Sequence, residues 1–278
     1  MNRKAWRKFF RNKVSILALA VFLLIVGCCI FVPMLGFSDY YTLDVPNHHA
    51  PFTLEHPFGT DHLGRDLLSR MMIGGRYTLG LSFLATVLAI FFGVFFGILA
   101  GYKGGKTDSL IIRISEILTS IPYLLFVIIV EVFLGFGKGY FFLAVAIASL
   151  PSVTRTIRNA VLKIRYSEYI EASITMGRSD AYILTHHVLR SILPVILLQI
   201  TSTYASSIMA CTILGYLDFG MAYPVPEWGR IVAEYYSKIY THMSWCILPC
   251  VFIAASVLSV HLIGNGIRDV QDIREETE

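Results

Sequence analysis

Charge is scarce in this sequence. Asp, Glu, Lys and Arg make up 15% of its 278 residues, against 55% hydrophobic, and the mean hydropathy is +0.64. Soluble domains carry about 25% charged residues, so this composition excludes an ordinary water-soluble enzyme and a disordered chain. Catalytic signatures are missing too: there is no Gly-x-Ser-x-Gly, no His-Glu-x-x-His, and no Asp/Glu pair inside an apolar run to suit a protease or a proton relay. No catalytic residue is assigned. Five cysteines are present, without a Cys-x-x-Cys pair or a spaced His partner, which argues against a zinc site and against a secreted disulfide framework. Cys28, Cys29, Cys211, Cys246 and Cys250 all lie in apolar runs and read as small buried hydrophobes. The net charge of +4 is too small to announce a nucleic-acid protein.

Long apolar runs are what the sequence does have. A membrane-spanning helix needs about 20 predominantly apolar residues, and that window gives six segments, at about 14–36, 78–101, 115–136, 139–157, 192–214 and 244–264. The third and fourth contain Pro122 and Pro151 and are expected to kink; Glu116 and Glu131 fall near opposite ends of the third and are read as marking its interfaces. Lys and Arg in alternate connections give the orientation: 17 of the 23 fall in 1–13, 101–114, 155–191 and 265–278, and 6 in 37–77, 137–141 and 215–243. By the positive-inside rule both termini and the 155–191 connection face the cytoplasm and the 37–77 loop faces outward. Leu24-Ile25-Val26-Gly27-Cys28 looks like a lipoprotein cleavage box, but apolar sequence continues to Gly36, which favours a retained span. The chain thus divides into an N-terminal segment with first span and outer loop (1–77), a core of five spans (78–264) and a cytoplasmic tail (265–278).

Two motifs lead nowhere. Ala100-Gly101-Tyr102-Lys103-Gly104-Gly105-Lys106-Thr107 fits a relaxed Walker A pattern, but a phosphate loop follows a strand, and this stretch follows an apolar span. It reads as a basic, glycine-rich turn. His48, His49, His56 and His62 lack metal-ligand spacing and read as a solvated loop, so no metal is assigned. Gly93, Gly97 and Gly101 form a small-residue ridge suited to close helix packing. Gln199, Thr203, Ser206 and Ala210 recur at helical spacing, with Ser202 and Ser207 beside them; this small, polar stripe faces protein or water, serving helix packing or lining a translocation path.

In the long cytoplasmic connection, Gly177 suits the left-handed residue after a helix end, and Ser179 or Asp180 suits the next N-cap. Two short helices at an angle are expected over 167–190. Tyr169, Ile170, Ser173 and Met176 form an apolar stripe on the first, to be covered by a partner protein or by the chain's own spans.

Here the sequence resembles a family. Glu171-Ala172-Ser173-x-x-x-Gly177 is similar to the EAA loop of permease subunits of bacterial ABC importers, with Ser173 in place of the second Ala. Gly59-Thr60-Asp61-His62-Leu63-Gly64-Arg65-Asp66-Leu67-Leu68-Ser69-Arg70, then Gly74-Gly75-Arg76-Tyr77-Thr78-Leu79, resembles the block before the second span in the second permease of dipeptide, oligopeptide and nickel importers. Pro226-Glu227-Trp228-Gly229 and Gly264-Asn265-Gly266-Ile267-Arg268-Asp269 extend the likeness along nearly the whole chain. Two departures stand out: Arg190 follows His187-Val188-Leu189 where the family usually has Pro, and the last block reads Asp272-Ile273 instead of Asp-Pro.

The resemblance implies an all-α permease of the type I importer fold with six transmembrane helices, in the bacterial inner membrane. It implies a transport subunit without enzymatic activity or a cofactor of its own. Partners would be a homologous second permease, ATPase subunits using ATP and Mg, and an extracytoplasmic solute-binding protein delivering peptides, with nickel or metal chelates as the alternative cargo. Glu171, Ala172, Ser173, Gly177, Ser179 and Asp180 would form the coupling element. Asp61, Arg65, Asp66, Arg70 and Arg76 suit an ion-paired outer segment that either touches the binding protein or stabilises the fold. A secondary transporter would show inverted repeats and mid-membrane charges, which are not seen; a membrane component that recruits an ATPase without transporting is separated by assay.

Overall fold

The computed structural model describes residues 12–35, 40–135 and 140–275. The basic segment before Asn12, the end of the first expected span at Gly36, residues 136–139 and the last three residues lie outside them. The described residues form α1 (Lys13–Phe31), α2 (Leu67–Lys103), α3 (Gly105–Ser120), α4 (Tyr123–Leu134), α5 (Phe141–Arg165), α6 (Glu168–Thr175), α7 (Asp180–Tyr216), α8 (Trp228–Tyr235) and α9 (Met243–Glu275). Five of these helices are long and apolar enough to cross a membrane, and α3 with α4 makes a sixth span if the bent pair counts as one.

Local chemistry sets the helix limits. Asn12 caps α1 by accepting from the amides of Val14 and Ser15. Asp66 caps α2 through the Ser69 amide at 2.7 Å. This second helix therefore begins eleven residues before the expected span, and at 37 residues is about 55 Å long. The third span departs most from expectation. Pro122 holds Ile121 in extended conformation, and the chain turns by 94° between α3 and α4. The twelve residues of α4 reach about 18 Å, short of the roughly 30 Å hydrocarbon layer. Glu116 and Glu131 thus sit on different helices and do not mark two ends of one. Glu116 is exposed; Glu131 is fully buried, with neither carboxylate oxygen hydrogen-bonded among the described residues.

The bundle has two ends. At the tail end Asn12 donates to Asp269 at 3.3 Å, bringing the start of α1 beside the end of α9, and Lys103 and α6 lie at this end. At the opposite, cap end α8 covers the start of α2: Trp228, Ile231 and Tyr235 are buried against Leu67 and Met71, with Cys29, Trp245 and Cys246 completing the cluster. The Trp228 indole donates to the Met71 carbonyl at 2.9 Å. Mid-bundle, the glycine ridge of α2 lies on α5: a Cβ on Gly97 would sit 2.7 Å from Ile157 Cβ, and Gly93 and Gly101 meet Val153 and Val161 in the same way. Cys29, Cys211 and Cys246 are buried as expected and Cys28 half-buried, whereas Cys250 is exposed on α9.

Candidate functional site

At the tail end, α6 follows α5 through the turn at Tyr166–Ser167 and is the expected coupling helix. Ile170 is buried in a cluster with Ile183 and Val188 of α7 and Ile157 and Val161 of α5, and Ser173 is buried as well, while Tyr169, Ile174 and Met176 are exposed. The stripe is therefore split, with one edge covered by the chain's own helices and the other left open. Tyr169 Oη lies 3.3 Å from Ser191 Oγ, and Ser173 Oγ 3.4 Å from His187 Nε2. Glu171 and Ala172 are exposed. Gly177 has φ +74°, the left-handed value its position called for, and a Cβ at this residue would meet nothing within 4 Å. Ser179 caps the next turn by accepting from the Tyr182 amide at 3.4 Å, and Asp180 accepts from the Tyr102 hydroxyl at 2.8 Å.

The second short helix is not separate. Arg190, unlike a proline, keeps its amide N–H, and the helix runs on into the span. Over Ile183–Val188 it is π-helical, with the Leu189 amide donating to the Leu184 carbonyl. The glycine-rich stretch after Lys103 is a turn: Gly104 and Gly105 have φ +68° and +58°, and beyond it Asp108 receives two hydrogen bonds from Arg158 at 2.5 Å each.

The polar stripe on α7 also divides. Thr203 and Ala210 are buried, Gln199 is half-buried and donates to Thr203 Oγ1 at 3.3 Å, and Ser206 is exposed with Ser202. Ser207 faces inward, where Thr86 of α2 donates to it at 3.4 Å. Thr78, Ser82 and Thr86 recur every fourth residue on that face of α2, a signal readable in the sequence and not used there.

At the cap end the 59–70 block is buried and tightly paired. Gly59 and Gly64 have positive φ, and a side chain on Gly64 would collide with the Asp44 backbone. Thr60 donates to the Asn47 carbonyl at 2.6 Å. Arg65 pairs with Asp61 at 2.7 Å and with Glu234 at 3.1 Å; Arg70 pairs with Glu234 at 2.5 Å; Tyr235 donates to Asp61 at 2.7 Å. Asp66 meets His56 at 3.0 Å. Arg76 instead donates to the backbone carbonyls of Cys29 and Ile30. Burial pushes the Asp61 carboxyl up, but the Tyr235 hydroxyl, the Arg65 charge and the amides of Leu63 and Arg65 outweigh it and hold it below the usual carboxylate range. Glu234 and Tyr235, far along the chain, are the partners that sequence reasoning missed. Glu227, at the N-cap position of α8, accepts from the Met221 amide outside the helix, and burial pushes its carboxyl up to about 7 against the pull of that amide and of Arg230. His49 packs at a tilt against His242 and Trp245, and His62 packs edge-on to Tyr235. Among the described residues no three metal-competent side chains come together.

Residues 93–275, more than half of the chain, match the family described as binding-protein-dependent transport system inner membrane component. The chain belongs to this family. Residues 1–52 of the permease also match the N-terminal transmembrane domain of oligopeptide transport permease C. The oligopeptide transport system permease protein OppC of Bacillus subtilis is 32% identical to it, over 97% of this chain and 88% of the relative. The dipeptide transport system permease protein DppC of Alkalihalophilus pseudofirmus is 33% identical, over 97% and 89%. The glutathione transport system permease protein GsiD of Escherichia coli O6:K15:H31 is 32% identical, over 96% and 88%. Among solved structures, the MetNI methionine ABC transporter in an inward-facing conformation has a chain that superposes with TM-score 0.61 at 22% identity, covering 71% of this chain and 94% of that one, which establishes the shared fold. The protein is a multi-pass inner-membrane permease of an ABC importer and not an enzyme.

Proposed function

We propose that this permease pairs with a homologous second permease to form the path for peptides delivered by an extracytoplasmic binding protein, driven by ATPase subunits that bind ATP and Mg. The observation that carries the reading is α6: a helix anchored by Ile170 and Ser173 that leaves Tyr169, Ile174, Met176, Glu171 and Ala172 open at the tail end. An open apolar edge on a short, well-anchored helix suits docking into a partner's groove. In this reading the tail end, with both termini, faces the cytoplasm, and Gly177, Ser179 and Asp180 set the angle at which α6 meets α7. The exposed Ser202 and Ser206 of α7 line the path, with Gln199 beside them, while Thr203 and Ala210 support them from behind. The Gly59, Thr60, Asp61, Gly64, Arg65 and Asp66 block, buried and internally paired, stabilises the cap and does not itself dock the binding protein. Peptide cargo is supported by the relatives named for oligopeptide, dipeptide and glutathione transport.

The test is isolation of the complex in mild detergent, identification of its subunits, and uptake of labelled dipeptides and of nickel into vesicles with and without ATP. A second permease and ATPases with ATP-dependent peptide uptake is the expected result. Nickel uptake without peptide uptake would replace the cargo by metal, and uptake by this chain alone without ATP would overturn the reading.

A further inference from the structure

The α2–α3 joint and the coupling helix meet through one tyrosine. Tyr102 stands in the last turn of α2, one residue short of the two positive-φ glycines, Gly104 and Gly105, that turn the chain into α3. Its hydroxyl donates to Asp180 Oδ1 at 2.8 Å, and Asp180 opens α7 immediately after the turn that follows α6.

Asp180 belongs to a compact unit. Ser173 reaches His187 and Tyr169 reaches Ser191, while Ile170, Ile183 and Val188 are buried together, so α6 and the first turns of α7 pack as one body. That body continues into the span through backbone that is not regular α-helix. The π-helical Ile183–Val188 stretch has its hydrogen bonds one residue out of α register, and Pro194, beyond its end, has no amide to give. Such segments are where helices bend. Toward α2 the same body meets Ile98 and Tyr102, which pack on its apolar cluster. Apolar packing is non-directional and tolerates sliding, whereas a phenol-to-carboxylate hydrogen bond fixes one register. On the far side of Gly104 and Gly105, the Asp108–Arg158 pair holds α3 to α5.

From this geometry we infer that Tyr102 is a positioning residue, which makes the α6–Asp180 body and the α2–α3 joint move as one when the ATPases drive the coupling helix. The inference rests on the permease reading above. Without the hydroxyl, the body can rotate on its π-helical stretch while the joint stays behind, and ATP is hydrolysed without full opening of the path.

The experiment uses the reconstituted complex with tritiated di- and tripeptides. Tyr102→Phe is expected to keep the ATPase rate and the KM for peptide, and to lower peptide transported per ATP by up to about tenfold, the factor that corresponds to about 1.4 kcal/mol of lost hydrogen bond. Asp180→Asn, which keeps an acceptor oxygen, should stay within about twofold of wild type, Asp180→Ala should match Tyr102→Phe, and the double variant should be no worse than Asp180→Ala. Independent, multiplying losses would overturn the proposal, as would a Tyr102→Phe complex with wild-type transport per ATP or with losses only in abundance. A second measurement needs no cargo: spin labels at Ser109 and Thr185, both exposed, on a Cys250→Ser background should keep their separation on trapping with ATP and vanadate, and lose it in Tyr102→Phe. Identical responses in both proteins would overturn the coupling. A wild-type complex that traps no ATP would overturn the permease reading and the inference with it, whereas trapping without peptide uptake overturns only the cargo.

Discussion

Replacing Glu227 by Gln should stabilise the permease at pH 8 and leave it unchanged near pH 4.5. The carboxyl is 2% exposed, and burial raises it from 4.5 to about 7, with Asp218 pushing the same way and the Met221 amide and Arg230 opposing. Between those two values the native state binds more protons than the unfolded chain, so stability falls as pH rises through that window and levels off above pH 7. Each pH unit is worth about 1.36 kcal/mol, so the penalty at pH 8 is on the order of 3 kcal/mol. Gln keeps the oxygen that receives the Met221 amide and carries no charge, so it removes the penalty and retains the bond. Arg230 is not orphaned, because it pairs with Asp218 at 2.5 Å. Thermal unfolding in mild detergent should show a gain on the order of 5 °C at pH 8, at about 2 °C per kcal/mol for a chain of this size. A variant no more stable than wild type at pH 8, or one with an equal gain at pH 4.5, would refute the reasoning.

Three further outcomes follow from packing and backbone geometry. Gly97→Val should lower stability by about 3 kcal/mol, because its first carbon would lie 2.7 Å from Ile157 Cβ and 2.9 Å from the Thr154 carbonyl, while Gly80→Ala, with nothing within 4 Å, should be silent; thermal unfolding of both checks this. At Gly177→Val the first side-chain carbon meets nothing within 4 Å and the main cost is backbone strain of about 1–2 kcal/mol at φ +74°, so the expected result is normal abundance in the membrane with uptake uncoupled from ATP hydrolysis, and normal uptake at wild-type abundance would count against it. Glu234→Ala strips the shared acceptor from two buried arginines and should cost about 3 kcal/mol, read as a lower unfolding temperature; an Arg70→Met/Glu234→Leu combination, which leaves Arg65 on Asp61, should recover part of that loss.

Periodicity and composition carried most of the fold. Runs of about 20 apolar residues placed five of the spans, because the lipid phase demands that length regardless of tertiary context. Gly93, Gly97 and Gly101 announced a packing ridge because their spacing is a local property of one helix. The angle at Pro122 was not readable: proline marks a break, but whether two halves stay aligned or turn by 94° depends on what each half packs against. The start of α2 was within reach, since Asp66 followed by an apolar pair with Ser69 at the third helical position is a cap signal, yet the polarity of 59–76 hid it. In the cap, Asp61, Arg65 and Arg70 declared themselves as ion-pairing residues, but Glu234 lies more than 160 residues away, and no local pattern connects them. The turn after α6 was legible at Gly177 because a left-handed residue after a helix is a backbone requirement. Tyr102 was not, because its hydroxyl has meaning only once α2 and α7 are side by side.

The uninterrupted length of α2 constrains how the molecule works. Its 37 residues begin just after Asp66 in the ion-paired cap and end at Lys103, past both faces of a hydrocarbon layer about 30 Å thick. A helix with an intact hydrogen-bond ladder behaves as a stiff rod, so a tilt of about 5° carries one tip roughly 5 Å relative to the other over a length of about 55 Å. Such a rod is a lever: a shift of the cap that the buried Arg65 and Arg70 pairs hold is carried to the Lys103 end of α2 by the helix backbone itself.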